Sequence, residues 1–282
     1  MGRGRARTNA DESVNSRNGL SGLLIGAILL GVVAPLLPLT VWAFAHNWFF
    51  PSVLPTAWSS RAWVYLFSGR SQLGAATLNS LVVATAVTAL SLLIGLPAGR
   101  ALAFYSFRGK TAVFFLILAP TIMPLIAVAM GIHIAFIRLR LADTLPGVIL
   151  AHLIPVLPYT VLLLRSAFAS YNRDYEAQAR TLGARPWQIV THITLPTIWP
   201  SLMVAALFAF LISWSQYLLT LLIGGGRLIT LPVLLFAFAN SGDYPITAAL
   251  SLLFIAPALL LFLFTARYLT GRHAALGGLG KL

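Results

Sequence analysis

The run 73–104 carries a single charged residue, Arg100, and five other stretches, 19–45, 111–136, 146–168, 196–223 and 245–268, contain no Asp or Glu at all. A helix that crosses a bilayer needs about 20 consecutive apolar residues. Six stretches of this kind fill most of the chain. In lipid the backbone must satisfy its own hydrogen bonds, so only helices and closed barrels can span it. Barrel strands are about 10 residues of alternating apolarity, far shorter than these runs. The expected fold class is an all-α membrane protein with six transmembrane helices.

Composition closes the alternatives. Charged residues make up 9% of the chain, against roughly a quarter in a soluble domain, and mean hydropathy is +0.89. With no cysteine, disulfides, iron–sulfur clusters and thiolate zinc sites are excluded. The formal net charge is +13, which in a soluble protein would point to nucleic acid. In a membrane protein cations flank the spans on the cytoplasmic side, so lipid rather than nucleic acid is the expected partner.

The same rule gives an orientation. With the N-terminus inside, the outer segments hold Arg61, Arg70, Arg138, Arg140 and Arg227, and the other 14 of the 19 Lys and Arg fall inside. Both termini are then cytoplasmic, and the number of spans is even. Residues 1–18 read as a polar cytoplasmic tail and 269–282 as a short basic one. The first apolar run, 19–45, ends in Ala43-Phe44-Ala45, which resembles a cleavage site. Its apolar length exceeds the 7–15 residues of a signal core, so an uncleaved helix is expected. The following segment to residue 72 is rich in Trp and Phe and reads as an interfacial loop with a short helix. Gly95-Leu96-Pro97 is expected to interrupt the second span, and Pro120, Pro124, Pro155, Pro158 and Pro257 to kink or unwind others.

The one sizeable polar insertion, 169–195, is the informative place. Asn172 or Asp174 can cap a helix through Glu176, Ala177, Gln178 and Arg180, with Gly183 as its stop. Pro186 then opens a second short helix to His192, before Pro196 opens the fifth span. Trp187, Ile189 and Val190 are apolar residues that a cytoplasmic loop does not expose without a partner. The expectation is a compact knob that docks a soluble protein. The competing reading of Glu176, Arg180 and Arg185 is a solvated helix face with an exposed ion pair.

Here the chain resembles the permease subunits of binding-protein-dependent ABC importers. Glu176-Ala177-Gln178-Ala179-Arg180-Thr181-Leu182-Gly183-Ala184 followed by Ile193-Thr194-Leu195-Pro196 looks like that family's EAA loop, with Gly183 and Pro196 at the family spacing of about thirteen residues. Two positions depart from it. Glu176 lies seven residues before Gly183 where the family glutamate lies six before, a place held here by Ala177, and Gln178 replaces an alanine. Asn79-Ser80-Leu81 and the run from Gly95 to Ala103 look like the start of the family's core, so the resemblance covers roughly 73–268. It implies the type I importer permease fold (MetI-like) in a bacterial inner membrane. It also implies a core of five transmembrane helices, coupled through Glu176, Ala177, Arg180, Gly183, Ala184, Arg185, Pro186, Trp187 and Ile189 to a separate ATPase. The partners it implies are two ATP-binding subunits carrying ATP and Mg, a second permease identical or homologous to this one, and an extracytoplasmic substrate-binding protein.

Other polar residues have two readings each. Ser213, Ser215, Gln216 and Tyr217 in the fifth span, and Asn79 in the second, either line a translocation pathway or bond neighbouring helices. His133 and His152 read as packing residues rather than ligands. The absence of Asp and Glu from the spans argues against an ion-coupled transporter. Gly224-Gly225-Gly226 precedes no Lys-Ser or Lys-Thr, so the chain is expected to hold no nucleotide, cofactor or metal and not to be an enzyme. The alternative function is a stand-alone secondary transporter or channel; a non-transporting scaffold is a third. The first loop and the Ser213–Tyr217 run resemble permeases for polyamines, ferric iron, thiamine and phosphonates, and a polyamine-like amine is the expected solute.

Overall fold

The computed structural model describes residues 30–277 except 32, 49 and 50. Most of the expected first span and the tail 1–18 therefore lie outside the described residues. What is described of that span ends in α1 (Leu36–Ala43). The aromatic loop that follows holds two short antiparallel strands, β1 (Ala45–Asn47) and β2 (Ala57–Trp58), and the helix α2 (Arg61–Phe67).

The centre of the bundle is a pair of long helices, α3 (Leu73–Phe104) and α6 (Leu145–Ala169). Two glycines let them approach closely. A Cβ on Gly95 would stand 2.8 Å from Thr160 Cγ2, and one on Gly99 2.9 Å from the backbone nitrogen of Arg165. This small-xxx-small spacing is the usual device for close helix contact in lipid, where no hydrophobic force pulls helices together. Contacts advance in the same sense along both helices, from Gly95 at Thr160 to Phe104 at Phe168, so α3 and α6 are parallel. The expected interruption at Gly95-Leu96-Pro97 is not there: α3 is continuous with Pro97 inside it. Pro97 removes one backbone donor, and the glycines serve packing rather than a break.

Because α3 and α6 are parallel, the segment between them has to recross the bilayer. It does so as α4 (Lys110–Ile122) and α5 (Leu125–Arg138), which meet at an angle of 106°. Pro124 has no N–H for the Pro120 carbonyl, and Met123 is extended, with ψ 143°, so the hydrogen-bond ladder stops there. Pro155 and Pro158, by contrast, sit inside an unbroken α6.

After the connection that carries α7 (Asp174–Thr181), the chain returns through α8 (Pro186–Ile189), a π-turn (Val190–Thr194) and α9 (Leu195–Trp214). These form one rod, not a short helix and a separate span. Pro196 cannot donate to the His192 carbonyl. The preceding N–H, that of Leu195, reaches back five residues to Val190, and the ladder slips into a π-turn without ending. α9 runs antiparallel to α6, with Ile198 near Phe168 and Ser213 near His152. The expected fifth span breaks at Ser215–Tyr217, followed by α10 (Leu218–Gly224) and α11 (Leu231–Ser241).

The last helix, α12 (Tyr244–Gly277), runs past residue 268, where the sixth span was expected to end. It is antiparallel to α9. Trp214 stacks on Phe254, and its indole N–H donates to the Phe254 carbonyl beside Pro257. Trp42 of α1 packs at a tilt against Tyr244, ring centroids 5.3 Å apart, at the first residue of α12. Among the described residues four helices are long and apolar enough to span, and the bent α4–α5 pair makes five.

Candidate functional site

Among the described residues two polar places bear on the residues singled out in the sequence: the α6–α9 connection at one membrane face, and the break after α9 toward the other.

At the connection, Asn172 Oδ1 accepts the Asp174 N–H at 2.9 Å and starts α7. The helix ends as its sequence dictates. Gly183 has φ +82° with nothing within reach of a Cβ. Its N–H donates to the Arg180 carbonyl at 3.0 Å, and the Ala184 N–H donates to that of Ala179 at 3.0 Å. This is the double closure of a left-handed glycine cap. Gln188 Oε1 then accepts the Arg185 N–H at 2.8 Å, and Pro186 opens α8. A tight elbow results, with Ala184 half-buried at its inside and Arg185 and Pro186 exposed.

The glutamate faces inward. Glu176 is 5% exposed. Its carboxylate accepts from Arg100 of α3 at 2.7 Å and from the Thr194 hydroxyl of the π-turn at 3.0 Å, with Arg180 at 3.9 Å. One step along a helix turns a side chain by about 100°. The offset of Glu176 from the family position therefore swings its carboxylate into the chain, while Ala177 faces outward. The reading of Glu176 as part of a solvated face is corrected accordingly: the residue ties α7 to α3 and to the rod. The Tyr171 phenol is buried against the same cluster, and burial raises its pKa above the ordinary value. Arg100 and Arg173 lie over the Phe104 ring, and Arg165 lies over Phe114 at 4.5 Å.

The exposed apolar surface differs from the expected one. Ile189 is buried at 3% exposure and Val190 is half-buried, because the second short helix is the foot of the rod and packs on the bundle. Trp187 stays exposed at 58%, and Leu182, which sequence alone did not single out, at 87%. With Arg180 and Arg185 they make a basic, apolar-tipped protrusion.

At the second place, Ser213 is buried in the last turn of α9 and Thr220 in the first turn of α10, and both bond one imidazole. His152 Nδ1 is 3.0 Å from Ser213 Oγ, and Nε2 is 2.9 Å from Thr220 Oγ1. Tyr217 stacks on Phe236 of α11, with ring centroids 4.1 Å apart. Ser215 is exposed and Gln216 half-buried. Asn79 and Ser80 of α3 hold the next connection. Asn79 Nδ2 donates to the Ile229 carbonyl at 2.9 Å, and Ser80 Oγ accepts the Leu231 N–H at 2.8 Å. The amide of Asn79 and the hydroxyl of Ser213 are thus spent inside the chain. Sequence reasoning missed Arg100, Thr194 and Thr220. A lone Arg near the end of an apolar run, which needs an acidic partner, was the available signal for the first.

The profile described as "Binding-protein-dependent transport system inner membrane component" matches residues 91–272, which include the connection and the break. The chain is 30% identical over 259 residues to the putrescine transport system permease protein PotI of Escherichia coli K12, covering 89% of each. It is 28% identical over 253 residues to the putative 2-aminoethylphosphonate transport system permease protein PhnV of Salmonella typhimurium LT2, covering 88% of this chain and 94% of that one. The fold matches a chain from the crystal structure of a bacterial ABC transporter involved in the import of the acidic polysaccharide alginate, with a TM-score of 0.70 at 17% identity, covering 91% and 97%. The protein therefore belongs to the binding-protein-dependent transport system inner membrane components, the permease subunits of ABC importers.

Proposed function

We infer that the protrusion at 170–187 receives the work of a separate ATP-hydrolysing subunit, and that Ser215, Gln216 and Tyr217 line the path of the solute. The observation that carries this reading is the rod. Pro186–Trp214 is one helical body of 29 residues, about 43 Å long at 1.5 Å per residue. Exposed Trp187 stands near one end of it and the break at Ser215 at the other. A displacement of the protrusion is handed to the break without a joint, and to α3 through Glu176 and Arg100.

The face with the protrusion is cytoplasmic in this proposal, with both termini on that side of a bacterial inner membrane. The asymmetry of Lys and Arg supports it. Two ATPase subunits, each with ATP and Mg, would dock on a permease pair, and an extracytoplasmic binding protein would deliver the solute. Leu182 and Trp187 suit an apolar groove on the ATPase, ringed by acceptors for Arg180 and Arg185.

The proposed solute is a small polyamine-like amine. Two relatives are described as permeases for putrescine and for 2-aminoethylphosphonate. The break offers an amide and a Tyr217–Phe236 aromatic pair, and ring faces attract a protonated amine.

The test is uptake of labelled putrescine into vesicles that hold the assembled transporter, with ATP on the ATPase side. Uptake is expected to need ATP and to be lost in Trp187→Asp, with the ATPase no longer co-purifying. Uptake that persists without ATP and after deletion of 184–192 would instead make the chain a stand-alone transporter or channel.

A further inference from the structure

A continuous helix would give the Gln216 carbonyl a backbone partner at Thr220. Here it accepts from the Thr220 side chain instead, Oγ1 to O at 3.0 Å. That bond fixes the protons around His152. A hydroxyl has one hydrogen, and Thr220 gives it to Gln216, so Thr220 must accept the N–H of His152 Nε2. His152 Nδ1 is then bare and accepts the Ser213 hydroxyl. The hydrogen bonds run in one direction, from Ser213 to His152, to Thr220, to the Gln216 carbonyl. His152, Ser213 and Thr220 are each at most 3% exposed.

The arrangement has a mechanical meaning. Ser213 precedes the break and Thr220 follows it, and the single imidazole that holds both belongs to a third element, α6. The described spans contain no carboxylate beside it, so nothing here favours a charged imidazolium or a proton path. Simple packing of α6 against α9 would use one bond and would not need the one that reaches past the break.

We propose that His152 is a positioning residue that latches the interrupted span, holding residues 215–217 in place until its two hydrogen bonds part as the bundle opens toward the aromatic-loop side. The proposal rests on the reading of 215–217 as the solute path. Opening then separates α10 from the end of α9 while the rod moves. Closing remakes both bonds, so the latch acts in every cycle and not only in folding.

The chain has no cysteine, which allows a clean reporter. Ser215→Cys is placed in the assembled transporter in vesicles. Its labelling by a membrane-impermeant maleimide is timed from the aromatic-loop side, with and without a non-hydrolysable ATP analogue on the ATPase. With His152 present, labelling is expected to be slow at rest and faster with the analogue. With His152→Phe, which keeps the ring and removes both bonds, resting labelling rises about tenfold or more and loses its dependence on the analogue. Ser213→Ala with Thr220→Val removes the same bonds from the other side and is expected to do the same. His152→Gln restores the donor to Thr220 and should return part of the dependence. Variants are compared at equal amounts of inserted, ATPase-bound protein, so a folding defect is not scored as an open latch. Unchanged resting labelling in both His152→Phe and the double hydroxyl variant overturns the latch. Labelling that ignores the analogue even with His152 present overturns the reading of the path itself.

Discussion

The α6–α9 connection and the break after α9 solve the same problem with different chemistry. At the membrane face, α7 is fixed by a carboxylate between a guanidinium and a hydroxyl, with Arg100 and Glu176 2.7 Å apart. Deeper in the bundle, the break after α9 is held by one imidazole and two hydroxyls, with no charge. An ion pair buried at the face is costly to part, because it would leave a charge unpaired. Neutral hydrogen bonds contribute about 1 kcal/mol each and can be exchanged. The contrast separates a mounting that must not yield from one that can, and the unbroken rod Pro186–Trp214 joins them.

The strongest way to break the comparison is to remove the charge at the face. Glu176→Ala leaves Arg100, whose side chain is 24% exposed, without its acid. A loss of about 3 kcal/mol is expected, read as a lower Tm of the solubilised complex. Replacing Arg100 and Glu176 together by Leu should recover most of it. A smaller expected effect is at Gly99→Val, where the new side chain meets the Arg165 backbone. Overpacking of about 1–3 kcal/mol should lower Tm and leave ATPase co-purification intact, since the protrusion is untouched.

The smallest effect sharpens the contrast. The Tyr171 hydroxyl is buried in the Glu176 cluster beside Thr194 and Glu176 but at poor hydrogen-bonding geometry to both, so Tyr171→Phe should change stability by no more than about 0.5 kcal/mol. Because burial raises the phenol's pKa, folding favours its neutral form. That contribution is complete below the ordinary phenol value and falls away as pH rises through the raised one. Alkaline melting curves of the Phe variant should accordingly lose part of their downward slope.

Much of this was legible in the sequence, and the reasons differ by residue. The spans follow from apolar length, and the cap at Gly183 follows from the residue type. The proline effects were not legible, because Pro97, Pro124, Pro155 and Pro158 look alike in sequence. Pro97, Pro155, Pro158, Pro200 and Pro257 lie inside continuous helices, and Pro124, four residues after Pro120, stands at the break. α6 is the most buried span and stays whole, whereas among the residues of α4 and α5 only Ala129 is buried, and that pair breaks. The inward turn of Glu176 needed the helix phase, which Arg100 and Thr194 set from distant parts of the chain. The partnership of His152 with Ser213 and Thr220 spans three helices and carries no sequence spacing at all. The exposure of Ile189 was misjudged because the π-turn, which joins its short helix to the rod, comes from Pro196 seven residues on.

The central claim is that force enters at the protrusion and travels through its charged mounting. It is tested most directly by ATP-driven putrescine uptake in vesicles bearing the assembled transporter with Glu176→Arg, with Arg100→Glu, and with both. The account predicts that each reversal alone abolishes uptake while the ATPase stays bound through Leu182 and Trp187, and that the double reversal restores a substantial part of it. Normal uptake in either single reversal would contradict it.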